Sequence, residues 1–179
     1  MDGRLTPIPD DALTAQQRHL LSEWAADRGQ TSPPGDIWRV LVRSPSGMRC
    51  VGKLGTFART GTVLPPRLRV VCSYIAVSRC GFQFEVGIQH RNLELHGFDA
   101  ASVSALDAGD FDLLDPEVAA VARLSDSIAQ RHSASESLTA AVRELLGDHG
   151  LVDVVLVATY FLMLSDIAAV LLPAPSAGE

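Results

Sequence analysis

The sequence predicts an all-α protein, and three features of its 179 residues support that prediction. Apolar residues recur at helical spacing through most of the chain. Glycine and proline stand where these segments begin and end, as is typical of helix boundaries. The last apolar segment, 151–172, is too long without a break to be a strand. These features predict a single domain over residues 1–179, with loose termini at 1–13 and 173–179.

The first part of the chain predicts three helices separated by proline- and glycine-containing breaks. Serine, threonine or aspartate before an apolar periodic segment predicts an N-cap, and glycine after it predicts a helix end. The elements in order are a helix from Thr14 to about Arg28, a loop at 32–35, a short helix capped by Asp36, and a helix from about Gly47 to Phe57.

Six further helices are predicted from the same signals. Proline is tolerated in a first helical turn, and serine followed by glutamate three residues later predicts a capping box. The elements are a helix opened by Thr62–Pro66 that runs to Cys80, a helix at 82–97 ending at Gly97, a short helix capped by Asp99 or Ser102 and ending near Gly109, a helix with Pro116 in its first turn, a helix from Ser133–Glu136 to Gly147, and an apolar helix after Gly150.

Composition excludes several classes of function. The net charge is −6, and no cluster of Lys and Arg offers the basic face that nucleic-acid binding needs. The acidic, proline-bearing N-terminal segment does not resemble a signal peptide. Three cysteines, an odd number without metal-like spacing, predict reduced thiols in the cytoplasm. We therefore expect no metal, no other cofactor and no nucleic-acid partner.

The segment Leu151–Leu172 is as long and apolar as a membrane span. It contains Asp153 and Asp166, whose charges are costly in lipid, and it lacks flanking lysine or arginine anchors. We therefore predict a helix buried in a protein core or subunit interface, without membrane contact.

Residues 64–90, LPPRLRVVCSYIAVSRCGFQFEVGIQH, resemble the core of the carboxymuconolactone decarboxylase/AhpD-like family. Ala76 and Arg79 match an Ala-x-x-Arg pattern, and His90 follows the arginine by the family's eleven residues. Segments 96–110 and 150–161 also resemble the family, in the same order, so the resemblance covers about residues 14–173. It implies a bundle of antiparallel helices, assembled as a trimer or hexamer, with pockets between helices near subunit contacts.

The chain departs from the family where the family carries reactive groups. Thiol peroxidase members have Cys-x-x-Cys-x-x-x-His, and the two cysteine positions are Gln83 and Val86 here. Other members have Tyr-Glu-Trp-x-x-His, for which this chain has Glu85, Val86 and Gly87, so a glutamate stands one place early. A further acid of the family falls at Val70. In the family these acids and the histidine form a proton relay, and of its members this chain retains only the histidine, His90.

His90 and Glu85 are the candidate catalytic residues. An imidazole titrates near neutral pH and can move a proton, and we expect His90 to face a closed cavity. The alternative is a buried histidine that bonds a carbonyl. Glu85 is either a displaced general acid/base or a solvated residue on its helix.

Four residues are candidates for substrate binding, each with a structural alternative. Arg79 would pair with a substrate carboxylate or hold an acidic helix end. Tyr160 would line a pocket or bond its hydroxyl inside the protein. Trp38 and Phe57 would form an aromatic pocket wall or belong to the core.

These observations lead to three hypotheses of function. The first is a cofactor-independent decarboxylase-like, ring-opening or cyclising enzyme for a small carboxylated, lactone or polyketide-like substrate, with His90 as general acid/base. The second is a non-catalytic binding or assembly protein of the same fold. The third, disfavoured, is a thiol peroxidase using Cys72 and Cys80, which eight residues of helix would separate by about 12 Å.

Overall fold

The computed structural model describes residues 3–29, 35–81 and 83–173, and it confirms the all-α class, with no strand in those ranges. The chain divides into two compact units, Met1–Phe57 with Asp166–Glu179, and Ala58–Ser165. Most of the predicted loop at 32–35 and the predicted loose end beyond residue 173 lie outside the described residues. A single domain and the family's bundle arrangement stay predictions.

Among its described residues, the first unit contains a 3-10 turn (Asp10–Ala12), the helices α1 (Ala15–Ala26), α2 (Asp36–Leu41) and α3 (Pro45–Thr56), and the end of a long last helix, α8 (Glu136–Leu171). Thr14 caps α1 as predicted. Its hydroxyl accepts from the Gln17 amide, while the Gln17 side chain accepts from the Thr14 amide. This reciprocal pair satisfies two backbone donors that a helix start otherwise leaves without partners.

Two tryptophans form the core of the first unit. The rings of Trp24 and Trp38 lie with their centroids 4.5 Å apart. The Arg28 guanidinium lies over the Trp24 ring at 4.3 Å and donates to the Gly52 carbonyl at 2.9 Å. A Cβ at Gly52 would lie 3.4 Å from the Trp24 ring, which is ordinary van der Waals contact, so the ring packs closely on this stretch of backbone. A cation over an indole face adds electrostatic attraction to the packing of the two rings.

The described N-terminal segment makes hydrogen bonds to the rest of the first unit. The Leu5 amide donates to the Leu171 carbonyl at 2.7 Å, and Arg39 donates to the Ile8 carbonyl at 3.0 Å. The prediction of a loose segment at 1–13 stays a prediction, and within it Leu5 and Ile8 have hydrogen-bond partners in the first unit. Backbone polar groups there find partners inside the first unit, and those bonds oppose the conformational entropy of a free end.

The second unit is arranged around one buried helix. Its elements are a π-helical turn (Phe57–Gly61, begun by the last residue of the first unit), α4 (Pro66–Cys80), α5 (Gln83–Leu95), α6 (Ala100–Ala108), α7 (Pro116–Ala129) and most of α8 (Glu136–Leu171). α4 packs chiefly on α7 and α5. Because neighbouring helices cover α4 on several sides, side chains that point in different directions from it are all buried. Five of them are fully buried, namely Val71, Cys72, Ile75, Ala76 and Val77.

Glycines end the helices where the sequence predicts. Gly97 follows α5 with φ +81°, and Gly109 follows α6 with φ +79°. Gly147, with φ +69°, interrupts α8 at the predicted boundary. Positive φ is strained for residues with a Cβ, so glycine at these three positions lets the chain leave helical geometry.

The start of α8 differs from the prediction. The Ser135 hydroxyl accepts from the Leu138 amide at 3.2 Å. The predicted capping box at Ser133–Glu136 is therefore wrong, since the helix begins at Glu136 and the serine just before it provides the cap.

α8 is the one described helix that is long and apolar enough to cross a membrane. Half of its most apolar window is buried inside the protein. A core helix meets the same criterion of length and composition.

Candidate functional site

Glu85 is a buried carboxylate on the first turns of α5. Its side chain is 6% exposed. Glu85 Oε1 accepts from Gln89 Nε2 at 2.9 Å and lies 3.5 Å from an Arg59 guanidinium nitrogen. The alternative that Glu85 is a solvated helix residue is therefore wrong. A carboxylate withdrawn from water needs such donors, because an unpartnered buried charge is very unfavourable.

Gln89 orients this carboxylate. Its Oε1 accepts from the Ser73 hydroxyl at 2.8 Å and from Asn92 Nδ2 at 3.2 Å. Because both neighbours donate to the amide oxygen, the amide nitrogen of Gln89 faces Glu85. Glu85, Gln89 and Asn92 follow at helical spacing, so one face of α5 supplies all three.

Arg59 approaches Glu85 from the π-helical turn Phe57–Gly61. A second guanidinium nitrogen donates to the Tyr160 hydroxyl at 3.4 Å. The guanidinium carbon also lies 5.8 Å from the Tyr160 ring centre and 5.4 Å from that of Phe161. The Arg59 side chain remains 32% exposed. π-helical turns often occur at functional sites, since the extra residue redirects a side chain.

We call Arg59, Ser73, Glu85, Gln89 and Tyr160 the Arg59–Glu85 cluster. All five belong to the second unit. Tyr160 is 1% exposed and its hydroxyl accepts from Arg59, which matches the alternative of an interior hydroxyl with a protein partner. The cluster combines a shielded acid/base group with an anion-binding group that solvent reaches.

His90 lies on another side of α5. Five residues of helix turn a side chain by about 140° relative to Glu85. The His90 side chain is 45% exposed, and its Nδ1 lies 3.6 Å from Glu94 Oε1. The expectation that His90 faces a closed cavity is wrong for the chain as described. His90 and Glu85 therefore do not converge on one point.

Tyr74 is the aromatic neighbour of His90, with ring centres 6.3 Å apart in an edge-on arrangement. Its hydroxyl donates to Asp107 Oδ1 at 2.5 Å. Burial, and then the bond to that carboxylate, raise the pKa of Tyr74 above its ordinary value. Tyr74 therefore stays protonated at neutral pH and is committed to Asp107 rather than to His90.

Arg79 is occupied at a helix end. Its Nε donates to Asp126 at 2.6 Å, and its terminal nitrogens donate to the carbonyls of Leu106 and Asp107 at 3.2 and 3.1 Å. Those carbonyls belong to the last turn of α6, which lacks helical donors of its own. The structure thus places Arg79 in the structural role that was the alternative to substrate binding.

Trp38 and Phe57 belong to the first unit, whereas His90, Glu85, Arg79 and Tyr160 belong to the second. Trp38 is buried against Trp24 and contributes to the tryptophan core. Phe57 is half-buried at the start of the π-helical turn.

The cysteines differ in environment, and none forms a disulfide. Cys72 is buried on α4, with its thiol bonded to the Leu68 carbonyl at 3.3 Å. Burial raises the pKa of Cys72 to about 12, against weaker opposing effects of Ser125 and Arg69. Cys50 and Cys80 are exposed. A peroxidatic role needs an accessible thiolate, which Cys72 does not supply.

Within the described ranges, no three side chains of His, Cys, Asp or Glu come together as metal ligands would. Comparison with protein-family models and with curated proteins gives no match.

Sequence reasoning missed three members of the cluster, Arg59, Ser73 and Gln89. The four-residue spacing of Glu85 and Gln89 was a usable signal, because such pairs meet on a helix surface. Nothing in FARTG, residues 57–61, signals that Arg59 turns towards α5.

Proposed function

We propose that this chain is a cofactor-independent enzyme of the lyase type. It would decarboxylate, open or cyclise a small carboxylated, lactone or polyketide-like substrate at the Arg59–Glu85 cluster. One observation carries the proposal, the buried Glu85 carboxylate held by Gln89 and by a partly exposed arginine. Membership of the carboxymuconolactone decarboxylase/AhpD-like family, a cytoplasmic location and a trimeric or hexameric assembly belong to the same proposal.

Arg59 would bind the anionic part of the substrate. A guanidinium presents several donors in a plane and suits a carboxylate or an enolate oxygen. The Arg59 guanidinium already contacts Glu85 and Tyr160 through two different nitrogens, so its position is fixed before a substrate arrives. Fixed charge of this kind stabilises developing negative charge without reorganisation.

Glu85 would transfer the proton. Among the described residues, Gln89 donates to Oε1 of Glu85 and the Arg59 guanidinium is paired with the same oxygen, so Oε2 is the oxygen assigned to the substrate. In ring opening, Oε2 takes a proton from a carbon beside a carbonyl, and the C–H electron pair forms a C=C bond to the neighbouring ring carbon. The bond from that neighbouring carbon to the ring oxygen breaks, and the oxygen leaves with the electron pair as a carboxylate. In decarboxylation, protonated Glu85 delivers its proton to the carbon that carried the lost CO2.

His90 is the competing proton-transfer group, as the sequence analysis proposed. Its partner Glu94 and its exposed position suit a group that exchanges protons with water. We assign the reaction to Glu85 instead, because a shielded carboxylate beside a fixed cation provides the low-dielectric site that charge stabilisation needs.

The test is a substrate panel of simple lactones and β-keto acids, with acid release and CO2 release as the measured quantities. Glu85→Gln should lower turnover at least about 100-fold, the usual effect of losing a general acid/base. Glu94→Gln, on the exposed side of the same helix, is the matched control and should retain turnover. If His90→Gln abolishes turnover and Glu85→Gln does not, the assignment to Glu85 is wrong.

The second candidate, a binding or assembly protein, has its own supporting observation. Three apolar side chains on α8, Val152, Val155 and Leu156, are exposed although they belong to the most apolar helix. Such residues suit a contact with another protein chain. Binding of a panel member without any turnover would favour this candidate over the enzyme.

A further inference from the structure

Asp153 is a second buried carboxylate of the second unit, and neither the lyase chemistry nor the Arg59–Glu85 cluster uses it. It lies on α8 and is 2% exposed. Its Oδ2 accepts from the Val63 amide at 2.8 Å. His149, one turn earlier, reaches the same oxygen only at 3.8 Å and is itself exposed. The backbone amide is therefore the close donor of this carboxylate among the described residues.

The bonded amide lies directly after the π-helical turn. Val63 follows Gly61, the last residue of that turn, by two positions, and Arg59 stands inside the turn. Val63 is 54% exposed, so its own side chain adds little to holding this point of the chain, whereas its backbone amide is bonded to Asp153. The next residue, Leu64, is buried and anchors the chain on the far side of that bond. Fixing the amide of Val63 restricts the few torsions between it and Arg59.

α8 contacts this segment at two points on one face. Asp153 holds the backbone at Val63, and Tyr160 receives the Arg59 side chain. The two α8 residues are seven apart, so they lie about 10.5 Å apart along the axis and within about 20° of the same face. The π-helical turn is thus attached to α8 at two points. One is the backbone just after the turn, at Val63, and the other is the side chain of Arg59.

We propose that Asp153 is a positioning residue that holds the π-helical turn so that Arg59 stays directed at Glu85 and Tyr160. This inference rests on Arg59 being the anion-binding group of the proposed function. A bond between an ionised carboxylate and an amide is stronger than one between neutral groups, which explains why a charged residue occupies a buried position on an apolar helix.

The test is the chemical reactivity of Arg59, so it needs no substrate. Phenylglyoxal labelling of the intact protein, read by peptide mass spectrometry, gives separate rates for Arg59 and Arg79. In Asp153→Ala the Arg59 rate should rise about fivefold, the equivalent of one lost hydrogen bond. Arg79, held by Asp126 and α6, is the internal control and should not change. Asp153→Asn keeps an acceptor oxygen and should restore the Arg59 rate to within about twofold of wild type.

Amide exchange of Val63, measured by NMR in the same variants, reports whether the bond itself is lost. The expected result is faster Val63 exchange together with faster Arg59 labelling. Faster Val63 exchange with unchanged Arg59 labelling, unchanged Val63 exchange, or equal acceleration at Arg59 and Arg79 would each overturn the inference. If Asp153→Ala does not fold, Asp153→Asn is compared with wild type instead. Val63 exchange and Arg59 labelling should then rise together, each by less than about twofold, with Arg79 labelling unchanged, and a rise in only one of the two would overturn the inference. A negative result leaves the turnover test of Glu85 unaffected.

Discussion

Glu85 and His90 lie five residues apart on one helix, and their surroundings are opposite. Glu85 is enclosed, bonded to Gln89 and close to Arg59, whereas His90 is 45% exposed with one carboxylate neighbour on its own helix. The difference arises from what covers each face of α5. One face of α5 meets α4 and the π-helical turn. Ser73 of α4 donates to Gln89, and Arg59 of the turn pairs with Glu85. Chemical type alone therefore does not identify the reactive group on a helix.

The same contrast occurs on α4 between Cys72 and Cys80. Cys72 lies inside the unit and Cys80 ends the helix at the surface. Substitutions and chemical labels should therefore have large effects at the enclosed side chains and small effects at the exposed ones on the same helix.

The largest expected effect is on thiol reactivity. A rise in the pKa of Cys72 from 9.0 to about 12 lowers its thiolate fraction at neutral pH about 1000-fold, before shielding by the protein is counted. Iodoacetamide at pH 7.5 should modify Cys50 and Cys80 and leave Cys72 unmodified until the chain unfolds, as mass spectrometry would show. The matched control is the urea-unfolded protein, in which all three should react alike. Rapid labelling of Cys72 in the folded protein would contradict its described burial.

Cys72 also gives a pH dependence of stability with a definite sign. The folded state keeps the Cys72 proton to higher pH than the unfolded state does, because burial raises the thiol pKa. The stability that the protonated thiol provides is therefore fully present below pH 9. It is lost as the pH rises from 9 towards 12. Urea midpoints should therefore fall above pH 9, and Cys72→Ala should weaken that fall.

The next effect is on folding stability. Glu85→Ala removes the acceptor of Gln89 and the partner of Arg59, and we expect a loss of about 3 kcal/mol in the free energy of unfolding, discounted because Arg59 is partly solvated. Urea denaturation measures it. Glu94→Ala is the control from the exposed side and should change stability by less than about 0.5 kcal/mol. Equal losses in the two variants would remove the distinction between the faces.

A smaller effect is expected at the tyrosine. Tyr160→Phe keeps the ring under Arg59 and removes only the hydroxyl that accepts from it. The free energy of unfolding should fall by about 1 kcal/mol, the usual net contribution of one hydrogen bond. Urea denaturation is again the measurement, and Tyr160→Leu, which also removes the ring, should destabilise more. An unchanged Tyr160→Phe variant would show that the 3.4 Å contact contributes little.

The smallest effect is expected at His90. Its exposed ring has one edge-on aromatic neighbour and a carboxylate at 3.6 Å, so His90→Ala should alter stability by less than about 0.5 kcal/mol. Thermal unfolding at pH 7 would measure it, with Glu94→Gln as the control for the ion pair. A loss as large as that of Glu85→Ala would show that His90 contributes to the core.

The helix order follows from local signals and was predictable. Pro66 and Pro116 open α4 and α7, and Gly97, Gly109 and Gly147 end or break helices with positive φ. These residues act through their own backbone torsions, so the surrounding chain is not needed to interpret them.

The candidate site depends on contacts between distant segments and was only partly predictable. Glu85 was identified as a candidate, but its burial depends on Arg59 in a π-helical turn and on Ser73 acting through Gln89. Arg79 shows the converse, since the residue that the family resemblance suggested for substrate binding is bonded to α6 carbonyls. Hydrogen bonds between side chains of different helices leave no periodic trace in a sequence.

The bond between the Leu5 amide and the Leu171 carbonyl bears on which segments of this chain can be removed. It joins the segment before α1 to the last turn of α8, and Arg4 donates to the Leu172 carbonyl beside it. Deleting residues 3–8 would leave both carbonyls without these donors. The last turn of α8 should therefore fray in such a deletion variant, because a helix end has no donors of its own for these carbonyls.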